Sequence, residues 1–82
     1  MASDKEVTII VEGTPHQVPM GKITYVQVVT LFDPTYPQHP ERTYLVKYRK
    51  GSPHQPEGVL PVGGEVEVKN GMIFNVTPTG QS

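Results

Sequence analysis

The chain predicts an α+β fold, a mixed sheet of four to five strands with one short helix against one face. Alternating β-branched runs recur along the chain, from Val7 to Val11, from Thr43 to Lys50 and from Met72 to Val76. A single stretch after Ile23 has helical spacing, with a cap in front of it and Asp33-Pro34 behind it. Nine prolines and eight glycines punctuate the rest, so each element is short.

Eighty-two residues make one domain. A core of that size supplies only roughly 3–5 kcal/mol without a staple, and the chain has no cysteine to provide a disulfide, a thiolate metal site or a cysteine nucleophile. The formal charge of −1, with Lys and Arg interspersed among acids, argues against nucleic acid and against anionic membrane as partners. Both require a concentrated basic surface. No apolar stretch near the N-terminus is long enough for targeting or spanning, and the expected location is cytoplasmic.

Residues 1–5 read as a flexible leader. Val7, Ile9 and Val11 alternate with Thr8, Ile10 and Glu12, which suits a strand. Gly13-Thr14-Pro15 then turns the chain into a second strand, His16-Gln17-Val18. Pro15 and Pro19 flank it and place it at a sheet edge, where a missing donor costs little.

The helix is expected over Lys22 to Asp33. Thr24 and Gln27 fit a capping box, with Ile23 and Val28 as its hydrophobic staple. Tyr25, Val28, Val29 and Phe32 fall on one face. The β-branched residues in it each cost up to about 0.7 kcal/mol relative to alanine, so the helix exists because it packs. Asp33-Pro34 ends it, since the residue before a proline is pushed out of the helical region.

Residues 33–42 carry Pro34, Pro37 and Pro40 and are loop. In the strand from Thr43 to Lys50, Tyr44, Val46 and Tyr48 share one face, and Leu45, Lys47 and Arg49 the other. Gly51 to Pro56 is loop, Glu57 to Leu60 a short edge strand, and Gly63-Gly64 a turn. Glu65 to Lys69 runs extended into Asn70-Gly71, the strongest tight-hairpin signal in the chain. In the last strand Met72, Phe74 and Val76 point inward and Ile73 and Asn75 outward, and Pro78 stops the ladder because it has no N–H.

Catalytic and metal chemistry is not indicated. His16, His39 and His54 lack a second ligand at helical spacing. Ser52 lacks a nucleophile elbow, Gly63-Gly64 lacks the Lys and Ser/Thr of a phosphate loop, and Glu65 and Glu67 alternate with valines as a solvated face would. The chain reads as no enzyme, with no cofactor and no metal. With one helix available, one sheet face stays wet. If the strands of Leu45 and Ile73 are neighbours, Leu45, Lys47, Ile73 and Asn75 form a mixed patch on that face, suited to docking a partner.

The opening hairpin, the helix after Ile23-Thr24-Tyr25, the strand Thr43 to Arg49 and the ending Val68 to Thr79 together resemble the bacterial ubiquitin-like proteins of the multiubiquitin type. The similarity runs from about Glu6 to Thr79, and its most specific piece is Asn70-Gly71-Met72-Ile73-Phe74-Asn75-Val76-Thr77-Pro78-Thr79. The resemblance implies a ubiquitin-like β-grasp domain over residues 6–77, its sheet wrapped around the helix with the first and last strands parallel at the centre, and a flexible tail over 78–82. It implies a protein modifier, activated at a C-terminal glycine by an ATP-dependent activating enzyme and passed by a conjugating enzyme to target proteins. Gly80 holds the required position. Gln81 and Ser82 follow it, which implies a processing protease.

One glycine stands where ubiquitin has two, no arginines precede it, and the multiubiquitin name describes tandem copies where this stretch holds one. A glycine carboxylate has no Cβ and can enter a narrow channel. Thr77-Pro78-Thr79 biases the tail toward an extended form, which lowers the ordering cost on docking. A sulfur carrier of the same fold and a non-covalent binding module are the alternatives.

Overall fold

The computed structural model describes residues 5–39 and 42–79. The elements in order are β1 (Glu6–Val11), β2 (Thr14–Pro19), β3 (Lys22–Thr24), α1 (Tyr25–Phe32), a 3-10 turn (Tyr36–Gln38), β4 (Tyr44–Ser52), β5 (Gln55–Leu60), β6 (Glu65–Glu67) and β7 (Met72–Pro78). Five strands form one sheet in the order β2-β1-β7-β4-β5, and β3 pairs with β6 in a separate two-stranded ribbon. β1 and β7 run parallel at the centre, as the resemblance implies, and the other pairs are antiparallel. One helix packed against a five-stranded mixed sheet is the α+β, ubiquitin-like arrangement.

The capping box forms at the expected residues. The Gln27 amide donates to Thr24 Oγ1 at 3.2 Å, and the Thr24 amide donates to Gln27 Oε1 at 2.8 Å. Thr24 itself is extended, so the helix starts at Tyr25 and not at Lys22. Lys22–Thr24 is instead a strand paired with Glu65–Glu67, which draws that segment away from β7. Asn70-Gly71 is therefore no hairpin between paired strands. Gly71, at φ +87°, donates to the Thr8 carbonyl at 2.7 Å, while Asn70 Oδ1 accepts from the Thr8 amide at 2.9 Å. The turn docks the start of β7 onto β1, and Gly71 supplies a positive φ that a side chain would strain.

The first turn is Glu12-Gly13, both at positive φ, with Val11 opposite Thr14. It lies one step earlier than the sequence suggests, because Thr14 and Pro15 already pair with β1. The expected loop over 51–56 is mostly strand. β4 continues to Ser52 through a register shift after Arg49, with Lys50 at φ +60°, and β5 begins at Gln55.

The core holds Val7, Ile9, Val11, Val18, Val46, Tyr48, Met72, Phe74 and Val76 from the strands, as alternation predicts, and Tyr25, Val28 and Val29 from the helical face. It also takes Ile23, Tyr36, Leu60, Val66 and Val68. Phe32 does not join it. At the last turn of α1 it remains 39% exposed and lays its ring edge-on against Tyr44, centroids 5.9 Å apart, while Tyr44 is half-buried.

Candidate interaction face and C-terminal tail

The sheet face away from α1 carries the outward residues of the central strands. β4 and β7 are neighbours, with Lys47 opposite Asn75, Leu45 opposite Thr77 and Arg49 opposite Ile73. Leu45, Lys47, Ile73 and Asn75 thus share this face, but Leu45 and Ile73 do not sit side by side. The Lys47–Asn75 pair separates them. Leu45 is 37% exposed, Lys47 and Asn75 are exposed, and Ile73 is half-buried beside Ile10 of β1.

Val59, 53% exposed and opposite Lys47, extends the apolar part across β5. The sequence indicates a strand only over Glu57 to Leu60, a stretch broken by Gly58 and too short to show which way Val59 points. The resulting surface is mixed, with Leu45 and Val59 flanking Lys47.

The tail residues Thr77, Pro78 and Thr79 do not leave the sheet where the sequence suggests. Thr77 lies opposite Leu45 and Pro78 opposite Tyr44. The Thr79 amide donates to the Thr43 carbonyl at 3.1 Å, and the two threonine hydroxyls meet at 2.7 Å. The expectation of a chain unpaired from Pro78 onward is corrected by these contacts. Thr79 bonds to β4, so by ladder alternation the nitrogen of Pro78 faces the opposite side, where no donor is needed. Gly80 and Gln81 lie outside the described residues.

β1 ends at Val11, so the β1-facing side of β7 has no strand beyond Phe74. Glu12 fills that place. Its amide donates to the Phe74 carbonyl at 3.0 Å, and its carboxylate accepts from the Val76 amide at 2.7 Å and the Asn75 side-chain amide at 3.4 Å. A carboxylate acceptor strengthens such a bond. Glu12→Ala is expected to cost about 1 kcal/mol and to speed amide exchange at Val76 and Thr79 while leaving Ile9 protected. Glu12→Gln, which keeps an acceptor, should fall between the two; equal exchange in all three proteins would remove Glu12 from this role.

Thr43 is positioned by a polar knot at the mouth of β4. Asp33 accepts from the Thr35 hydroxyl at 2.6 Å and its amide at 3.1 Å, from the Tyr44 hydroxyl at 3.0 Å and from Arg42 at 3.3 Å. The Thr35 hydroxyl leads the effects that hold the Asp33 carboxyl below the usual range, and partial desolvation opposes it. Burial pushes the Tyr44 hydroxyl up, and so does its bond to Asp33. Among the described residues no His, Cys, Asp and Glu cluster could hold a metal, and no helix is long and apolar enough to cross a membrane.

The sequence matches the Multiubiquitin family over residues 7–80, from Val7 in β1 through Gly80. The chain belongs to the Multiubiquitin family. Comparison with curated proteins and with solved structures gave no match. As a member of the Multiubiquitin family the chain is a small ubiquitin-like module.

Proposed function

We propose that this Multiubiquitin domain is a bacterial, cytoplasmic protein modifier that acts through Gly80. A protease hydrolyses the peptide bond between Gly80 and Gln81, and an activating enzyme joins the exposed carboxylate to the AMP part of ATP with release of pyrophosphate. A conjugating enzyme directs transfer of the glycyl acyl group to a nucleophile on a target protein with release of AMP. The domain is the substrate of this chemistry and supplies no catalytic group. The observation that carries the reading is the family match running through Gly80, directly beyond the paired end of β7. A carboxylate needs a leaving group before a nucleophile can displace it, which is why activation must precede transfer. The test is intact mass of the chain co-expressed with its own processing and activating enzymes. Loss of Gln81-Ser82 together with adducts to other proteins supports the proposal, and an unchanged mass overturns it.

Docking of the activating or conjugating enzyme is assigned to Leu45, Lys47, Ile73 and Asn75. Leu45→Asp is expected to weaken enzyme binding at least tenfold, in keeping with loss of an apolar interface contact, with an almost unchanged thermal midpoint. Ile73→Asp should lower both, because Ile73 is half-buried against its neighbours. Calorimetric titration beside a melting curve separates the two effects. A Leu45→Asp protein that binds normally would remove the patch from the proposal.

A further inference from the structure

The sheet has two edges, β2 and β5, and they differ in what they offer. In an antiparallel ladder, successive residues alternate between bonding to one neighbour and facing the other side. On β2, the turn makes Val11 and Thr14 a bonded pair, so Pro15, Gln17 and Pro19 face outward. Pro15 and Pro19 have no N–H, and this edge is blunted against strand addition.

On β5 the count comes out otherwise. Thr79 donates to Thr43, so Leu45, Lys47 and Arg49 bond to β7, while Val46 and Tyr48 bond to Leu60 and Gly58. Glu57 and Val59 therefore turn their N–H and C=O groups outward. Pro56 falls on the side facing β4, where it leaves these outward groups intact.

We infer that the β5 edge takes an extended peptide segment as an added antiparallel strand, with an apolar residue opposite Val59 and a basic residue opposite Glu57. Directly opposite side chains on neighbouring strands lie about 5 Å apart and decide the pairing, whereas a residue two strands away is roughly twice as far and largely screened. Glu57 is exposed and makes no ion pair among the described residues, its cross-strand neighbour Arg49 included. A cation opposite it is therefore the complementary charge. Val59, 53% exposed, asks for an apolar neighbour.

Between the two lies Gly58, where a Cβ would come within 2.9 Å of the Tyr48 hydroxyl. The Tyr48 ring thus covers the place a side chain at Gly58 would take, and the guest's middle residue lies on that same sheet face. A second copy of this chain fits less well, since antiparallel pairing centred on Gly58 would set the Glu57 carboxylate of one copy against Val59 of the other.

The probe is a capped peptide reading threonine–valine–tyrosine–lysine–threonine, compared with the same peptide carrying glutamate in place of lysine. On titration into the isotope-labelled protein, the Glu57 and Val59 amides should shift and gain exchange protection, with Gln17 unmoved. The glutamate peptide should bind roughly three- to tenfold more weakly, the range expected for reversing one cross-strand charge pair. Glu57→Lys should invert that preference. Failure to protect Glu57 and Val59 at millimolar peptide, protection of Gln17 instead, or an unchanged preference in Glu57→Lys would each overturn the inference. So would protection of the same two amides that rises with protein concentration alone, since a second copy would then hold the edge.

Discussion

Phe74→Ala is expected to cost about 3–5 kcal/mol, the range for emptying the site of a fully buried phenylalanine. Phe74 has no exposed surface and stands on the central strand, opposite Val11 on β1 and Tyr48 on β4, with the Tyr48 ring centroid 6.2 Å away. Its neighbours are held by ladders on both sides, so they cannot collapse into the space. A domain of 82 residues whose core supplies only roughly 3–5 kcal/mol lies at the low end of the about 4–12 kcal/mol that roughly 0.05–0.15 kcal/mol per residue gives. The substitution removes a large part of that.

Each kcal/mol moves the midpoint of so small a domain by about 4–8 °C, so a melting curve should fall by at least roughly 12 °C. Phe32→Ala provides the contrast, because Phe32 is 39% exposed and touches the core's rim through Tyr44. Its cost should be less than half as large. Similar losses in the two variants would mean that the core is not centred on β7.

The residues that made these elements legible share a physical character. The Thr24–Gln27 box needs only local geometry, and the Met72, Phe74 and Val76 alternation needs only the pleat, so both are visible in one sequence. The β3–β6 ribbon is not, because Lys22-Ile23-Thr24 is too short to show a period and its partner lies some forty positions away. The outward set Leu45, Lys47, Ile73 and Asn75 was legible as a shared face, while the register that separates Leu45 from Ile73 was not.

Pro78 is the instructive case. A proline reads as the end of a ladder, yet whether its missing donor matters depends on which side its nitrogen faces, and that is set by pairing. Here it faces away from β4, and the chain stays paired through Thr79.

Gly80→Glu is expected to abolish activation. An adenylating site must bring the terminal carboxylate to the α-phosphate of ATP, and a channel shaped for glycine excludes a Cβ at the last residue. Glutamate adds a charged side chain as well, whose burial without a partner is strongly unfavourable. The paired state of Thr79 sharpens the expectation, since Thr79 is held by its amide and its hydroxyl to Thr43. On the proposed function, an activating enzyme that engages Gly80 has to free Thr79 from Thr43, and a bulky last residue cannot compensate for that loss.

Three proteins expressed beside the partner enzymes decide the matter. The full-length chain should be activated only with the protease present, a chain ending at Gly80 should need no protease, and full-length Gly80→Glu should show no activation in either condition. The measurement is ATP–pyrophosphate exchange for activation and intact mass for conjugates. Conjugates formed by Gly80→Glu, or by a full-length chain that still carries Gln81-Ser82, would show that the modifier chemistry does not run through Gly80. Inactivity of all three would leave the domain as a docking module. In that case Leu45→Asp should still weaken partner binding, because the face formed by β4 and β7 owes nothing to the terminal carboxylate.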